Sequence, residues 1–578
     1  MSEGTFFMIM FAIAAIIGLA TLVYIVRQAF SGQGGEIGGW ELRGARQRLY
    51  AVARNAVAEG LRAKVASGFA LLILVAIPVF YFAAEGDGTI KGRVQMFVSY
   101  SLGFSGFILS ILTILFGCRS LSAEIAARQI YGIVSKPVPR WQIVVGKWIG
   151  VMVVVVGLLF LSGAMTYGGT MLMVRGFRAD LERNLATYGS LTPQQASAAI
   201  AALDDVKGIG KEGMESPVMA ALAGTLGWTR EQVGDMLLRL PEPTRVNLRR
   251  FDELRRQVLV ARASITAQLP DFSEAVEEGL QRLRDEQRMP EEWSTARVRR
   301  EIERGLRLQF CTVEPGEGRQ WVLQGPPPQE GEDLVMSIRF KMRAPKQPLA
   351  ERIQGRVLET DKVLCYWGVG DPRKAEFLET VDQYPIHMYY EVEIPQQGVE
   401  PDGTIILLFQ NVDPRAIPTV FDIANGDLEV LYRVGSWELS LVQALLAAVI
   451  PLACLASFAV CASTFLSFPV GVLICFILFV VSSSNAFLAE ALAVTDEYAP
   501  PPEQQTWDYQ LRRVTLAGLT QVLAIGDVNP VRHLLEGRAV GWGLIGSHAW
   551  KFVLLKSGLV LVVAVIVFRR RELAAVIV

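Results

Sequence analysis

The chain has 578 residues, 51% of them hydrophobic, with 56 basic and 57 acidic side chains. So even a charge balance excludes a binder that holds nucleic acid through a basic surface. Three scattered histidines and six cysteines provide neither metal-ligand spacing nor a nucleophile elbow, so no catalytic centre is expected and the chain reads as a non-enzyme. The hydrophobic residues gather into seven stretches, at about 6–26, 65–84, 96–118, 143–174, 439–462, 466–488 and 550–568. Each is about 20 residues or longer, enough α-helix to cross a hydrocarbon layer about 30 Å thick.

The first stretch has no basic segment before it and no small-x-small cleavage site, and it runs into Tyr24-Ile25-Val26-Arg27. It therefore reads as an uncleaved anchor over 1–30. Residues 31–64 begin with a flexible link, Ser31-Gly32-Gln33-Gly34-Gly35. A helical stripe follows: Leu49, Val52, Ala53, Ala56, Val57 and Leu61 on one side, with Arg48, Arg54, Asn55, Glu59 and Arg62 opposite. That pattern fits an interfacial amphipathic helix lying among headgroups; an ordinary juxtamembrane helix would look much the same.

Three spans occupy 65–175, and the loop 119–147 joins the last two. Around Glu124, Ile125, Arg128, Ile130 and Tyr131 the composition favours a short helix. Gly132 can end it, and Pro137 and Pro139 forbid its continuation, so the chain turns before Arg140 and re-enters the bilayer. A short helix held between two spans suits transmission of a push from a partner.

The polar segment that follows divides by composition. Residues 176–306 read as helical, with capping boxes at Thr192-Pro193-Gln194-Gln195 and Thr229-Arg230-Glu231-Gln232. Residues 307–435 switch to strand periodicity at 334–340, 388–394 and 404–409, separated by turns such as Pro401-Asp402-Gly403. Eight or so short strands suggest a β-sandwich-like module. Cys311 and Cys365 fall within it and are a candidate disulfide in an oxidising compartment. Asp422, Asn425 and Asp427 around Gly426 do not match a calcium loop and read as a turn.

The last three spans occupy 436–578, with a second polar segment at 489–549 that suits either short helices capping a pathway or a surface loop. Glu490 and Lys556 are the candidate intramembrane polar residues. Lys556 could line a path, pair with Glu490, or snorkel to the headgroups.

Orientation follows from the basic residues. Arg27, Arg43, Arg46, Arg48, Arg54, Arg62 and Lys64, then Arg119, Arg128, Lys136, Arg140 and Lys147, then Arg569, Arg570 and Arg571 all fall on one face when the crossings are counted. The positive-inside rule makes that face the cytoplasm of a cell membrane, which places the N-terminus and residues 175–437 outside.

Within the cytoplasmic loop, Glu124, Lys136-Pro137-Val138, Arg140 and Gly146-Lys147 match in type and spacing the signature of ABC-2 type transporter membrane subunits, and the chain resembles that family. Agreement extends to the interfacial helix before Val65, to Ser463-Thr464-Phe465-Leu466-Ser467-Phe468-Pro469, and to the terminal Phe568-Arg569-Arg570-Arg571-Glu572-Leu573. It covers about 45–175 and 436–573 but neither the anchor nor the outer insertion, and the family usually has Gly-Thr where this chain has Arg128-Gln129. The fold expected is thus an α-helical multi-pass membrane protein, a six-span permease core plus the anchor. Into it is inserted an extracytoplasmic α+β region, helical first and β-sandwich-like after.

The resemblance implies a permease subunit of an ABC exporter that pairs with a second permease copy, identical or not. It would dock on two copies of an ABC ATPase subunit through Glu124, Ile125, Arg128, Ile130, Tyr131, Lys136, Pro137 and Arg140. No Gly-x-x-x-x-Gly-Lys-Ser/Thr loop occurs in the chain, so ATP and magnesium belong to that partner and no cofactor is expected here. The outer region could receive substrate, dock an extracytoplasmic partner, or turn the cycle into mechanical work. The alternative from a different class is a membrane-anchored binding or scaffold protein whose working part is the β module.

Overall fold

A computed structural model describes residues 39–62, 64–86, 89–127, 138–204, 217–249, 254–286, 295–327, 336–343, 362–371, 378–394, 399–414, 418–423, 426–497, 506–523 and 530–570. The anchor expected at 1–30 lies outside them, as do Arg128, Ile130, Tyr131, Lys136 and Pro137 of the loop, and Asn425.

The first helices are α1 (Gly39–Arg62), α2 (Val65–Ala83), α3 (Ile90–Ala126) and α4 (Arg140–Tyr188), then α5 (Pro193–Asp204), α6 (Pro217–Leu226), α7 (Arg230–Arg239) and α8 (Glu242–Arg249). Strand β1 (Val260–Thr266) precedes α9 (Ser273–Asp285) and α10 (Thr295–Cys311). The strands β2 (Thr312–Val313), β3 (Gly318–Gln324), β4 (Met336–Lys341), β5 (Lys362–Val369) and β6 (Leu378–Pro385) come next, with β7 (Tyr389–Ile394), β8 (Thr404–Asn411), β9 (Thr419–Val420) and β10 (Leu428–Ser436) after them. The chain closes with α11 (Trp437–Phe465), α12 (Phe468–Ser483), α13 (Asn485–Glu497), α14 (Trp507–Leu523), α15 (Pro530–Leu535), α16 (Trp542–His548), a π-helical turn Ala549–Ser557, and α17 (Gly558–Arg570).

Two compact units result. One draws on Met1–Leu181, Trp437–Ala489 and Ala517–Val578, the other on Glu182–Ser436 and Glu490–Leu516. In the first, α2, α3, α4, α11 and the continuous run Trp542–Arg570 are each long and apolar enough to cross a membrane. That makes the unit a helical membrane domain. Its helices approach closely where small residues meet: a Cβ added at Gly117 of α3 would lie 2.5 Å from the Ala459 side chain of α11. Several buried hydroxyls bond back to their own helix, Thr113 to Leu109 O, Thr166 to Ser162 O and Thr170 to Thr166 O, which satisfies them in an apolar surround.

Three expectations change here. Among the described residues five helices reach membrane-spanning length, and the stretch expected at 466–488 is instead the 16-residue α12. It ends at Ser483, and α13 starts afresh at Asn485. Glu124 and Ile125 belong to the last turn of the 37-residue α3 and not to a separate short helix. No Gly or Pro stands between Cys118 and Ala126 to break it, and Ser122 donates to Cys118 O within the helix. Finally α4 runs 49 residues without interruption, past the end expected near 174, so the apolar stretch and the polar helix after it are one element.

In the second unit both capping boxes form. Gln195 N–H donates to Thr192 Oγ1 while Thr192 N–H donates to Gln195 Oε1, and Thr229 with Gln232 does the same. Two four-stranded antiparallel sheets, ordered β1-β10-β4-β7 and β3-β8-β5-β6, make the sandwich, and β2 pairs with β9. One core joins Met336, Ile338 and Phe340 of the first sheet to Trp321, Trp367 and Phe409 of the second. The turn before β8 depends on Gly403 at φ 86°, where a Cβ would lie 2.3 Å from Gly325 O.

β1 corrects the helical reading of 176–306. Val-Ala-Arg-Ala-Ser-Ile-Thr carries helix-favouring Ala and Arg, but pairing with β10 from Val260↔Ser436 to Thr266↔Glu429 decides its conformation. The other face of its sheet is buried too and carries charge: Arg262 pairs with Glu391 at 2.7 Å and Arg339 with Glu429 at 3.3 Å. Cys311 and Cys365 are both buried in the sandwich core as free thiols, so the bridge considered for them is not formed. Burial pushes the Cys365 thiol up to about 12 and raises that of Cys311, which leaves both inert. Asp427 is held by Arg343 at 2.6 Å, with Asp422 3.5 Å from the same guanidinium, so these acids serve the turn.

Candidate functional site

The first turns of α4 are a hub where four other helices meet. Lys147 is 1% exposed and its ammonium lies 2.5 Å from Glu124 at the end of α3 and 3.1 Å from Glu59 of α1. Enclosing a lysine so deeply is costly unless a carboxylate pairs with it. Two carboxylates face one ammonium, and Glu124 Oε2 is buried without a hydrogen-bond partner. The cluster is therefore tightly joined and electrostatically incomplete.

Arg140, at the first residue of α4, donates to Phe568 O at 3.0 Å and to Arg569 O at 2.6 Å, and its guanidinium stands 5.9 Å from the centre of the Phe568 ring. Those are carbonyls of the final turn of α17, which an arginine satisfies while complementing the negative end of the helix dipole. Arg48 of α1 donates to Gln142 Oε1 at 3.2 Å, and Trp148 Nε1 donates to Ala453 O of α11 at 3.1 Å.

Packing reinforces the polar contacts. Gly146 and Gly150 form a G-x-x-x-G step against α1. A Cβ on Gly146 would lie 2.8 Å from Val52 Cβ, and one on Gly150 would lie 2.6 Å from Ala56 Cβ and 2.9 Å from Ala53 O. The apolar stripe read on α1 is thus the face that meets α4, and Ala53 and Ala56 are buried there.

Of the residues singled out in the loop, the structure joins Glu124 and Arg140 to the hub, leaves Ile125 half-buried beside it, and describes none of the other five. Glu59, Gln142 and the glycine step had not been assigned a role. The G-x-x-x-G spacing is legible in the chain, whereas the Glu59 contact needs α1 to be docked before it exists. Lys556 is half-buried in the π-helical turn, its ammonium 5.6 Å from the Phe552 ring centre, and Glu490 is exposed on α13. Among the described residues no cluster of three or more His, Cys, Asp or Glu could hold a metal ion.

The chain is a helical membrane protein carrying a separate β-sandwich. Neither protein-family models nor curated proteins nor solved structures match it.

Proposed function

We propose that this chain is the permease subunit of an ABC exporter of the ABC-2 type, driven by ATPase subunits on separate chains. The observation that carries the reading is the hub. Residues 128–137 connect the end of α3 to the start of α4, where Glu124 meets Lys147 and through it Glu59 of α1, and Arg140 separately bonds carbonyls of α17. A push on that loop would reach several membrane helices together, which a subunit coupled to an external motor requires. In this reading the loop faces the cytoplasm, the permease acts as a pair, and Arg128, Ile130, Tyr131, Lys136 and Pro137 touch the ATPase.

The test is co-purification with ABC ATPase subunits co-expressed from the same organism, comparing the wild type with Arg128→Glu and Lys136→Glu. Both variants are expected to reduce association at least tenfold, and a cysteine at position 128 is expected to react only in permeabilised cells. Unchanged association and unchanged ATPase stimulation in both variants would refute the proposal. That result would favour a second reading, a membrane-anchored binding or scaffold protein, which the sandwich supports by closing a core of its own.

A further inference from the structure

Beside the hub, at the basic end of the helical unit, lies a cavity of about 90 Å³. Gly60 of α1, Val65 of α2, Leu115 and Phe116 of α3 and Phe468 of α12 form its apolar walls. Val65 and Phe468 are the first residues of their helices, so the cavity opens at the level where helix ends meet headgroups. One wall is pre-formed, because α1 and α3 touch: a Cβ on Gly60 would lie 2.5 Å from Phe116 Cζ.

Two ionisable groups line this cavity, and they are not equivalent. Glu59 is 3.1 Å from the Lys147 ammonium, which offsets its charge. Arg119 is exposed, and among the described residues its side chain takes part in no hydrogen bond or ion pair. Lys64, also exposed, immediately precedes Val65 on the cavity wall. The pocket thus offers an apolar slot with a guanidinium at its mouth that no described residue engages. Water would fill such a slot poorly, a neutral lipid would leave the cation unanswered, and a soluble anion would leave the apolar walls bare.

We propose that this groove is a binding site for an anionic glycerophospholipid, with the first methylenes of one acyl chain against Leu115, Phe116 and Phe468 and the phosphate on Arg119. The guanidinium can take two phosphate oxygens side by side, which an ammonium cannot. The inference is independent of the transporter reading, because it needs only a bilayer around the helices.

The experiment is native mass spectrometry of the full chain, delipidated in detergent and offered equimolar phosphatidylglycerol and phosphatidylcholine with the same acyl chains. The wild type is expected to retain phosphatidylglycerol about fivefold over phosphatidylcholine, the preference that one surface cation gives an anionic lipid. Arg119→Gln brings the ratio near one, while Arg54→Gln, at an exposed arginine of α1 outside the groove, keeps it. Leu115→Trp fills the slot and lowers retention of both lipids with Arg119 intact, which preserves the test if the arginine variant does not fold. A ratio unchanged in Arg119→Gln overturns the proposal, and so does an equal loss in Arg54→Gln, which would mean diffuse surface charge. Displacement of the lipid by inorganic phosphate at equal concentration would also overturn it, since the headgroup alone would then be the ligand.

Discussion

Lys147 is the residue on which the hub turns. Removing one partner of a buried ion pair strands the other in an apolar surround at a cost of about 3–5 kcal/mol, whereas replacing the whole pair by apolar groups is often neutral. Lys147→Met is therefore expected to lower the detergent-solubilised unfolding midpoint sharply, and the double variant with Glu124→Leu to recover much of the loss; equal destabilisation in both would show that the charge pair is not the source. His533 of α15 sets a pH dependence. Burial, with Arg538 second, holds its pKa below the usual 6.5. The unfolded chain takes up the proton first as the pH falls, so stability is full above about 6.5 and declines below it. His533→Gln is expected to flatten the unfolding midpoint between pH 7 and 5.

At the scale of elements, the docking of α1 on α4 is a contact of backbone against backbone. The glycine step allows it, and a branched side chain at Gly150 would have to displace Ala53 and Ala56. Gly150→Val should cost about 1–3 kcal/mol and raise proteolytic cleavage within Gly39–Arg62, readable by limited proteolysis of the purified chain. An unchanged cleavage pattern would mean that α1 is held by other contacts. The strands show the opposite balance. β8 alternates half-buried and buried along its length and declares its period in sequence, whereas β1 has Arg262 and Ser264 where an inward-facing strand would carry apolar residues. The burial of Arg262 comes from its pairing with Glu391 and Ser337 across the sheet, which no local pattern reveals.

At the scale of the molecule, two units with separate cores predict separable damage. Trp367 is 1% exposed, with ring centres 4.6 Å from Phe340 and 4.9 Å from Phe409, so Trp367→Ala should cost the sandwich about 3–5 kcal/mol. Protease sensitivity should rise within 260–436 while the helical unit keeps its unfolding midpoint; a parallel fall in both would show that the two fold as one. The apolar helices make a further expectation concrete: the chain should stay with membranes through an alkaline carbonate wash.

What the chain determines locally is the existence of its apolar helices, the capped helices of the second unit and the strands that alternate. Each of these depends on hydrophobic spacing and side-chain to backbone bonds within a few residues. Glu124, Arg140 and the Gly146-Lys147 step could be picked out by type and spacing, but their task could not, since Lys147 meets Glu59 88 positions away and Arg140 meets the α17 carbonyls 428 positions away. Only tertiary structure could make these decisions, because a buried charge acquires its partner, and a glycine its close neighbour, when distant segments are packed together.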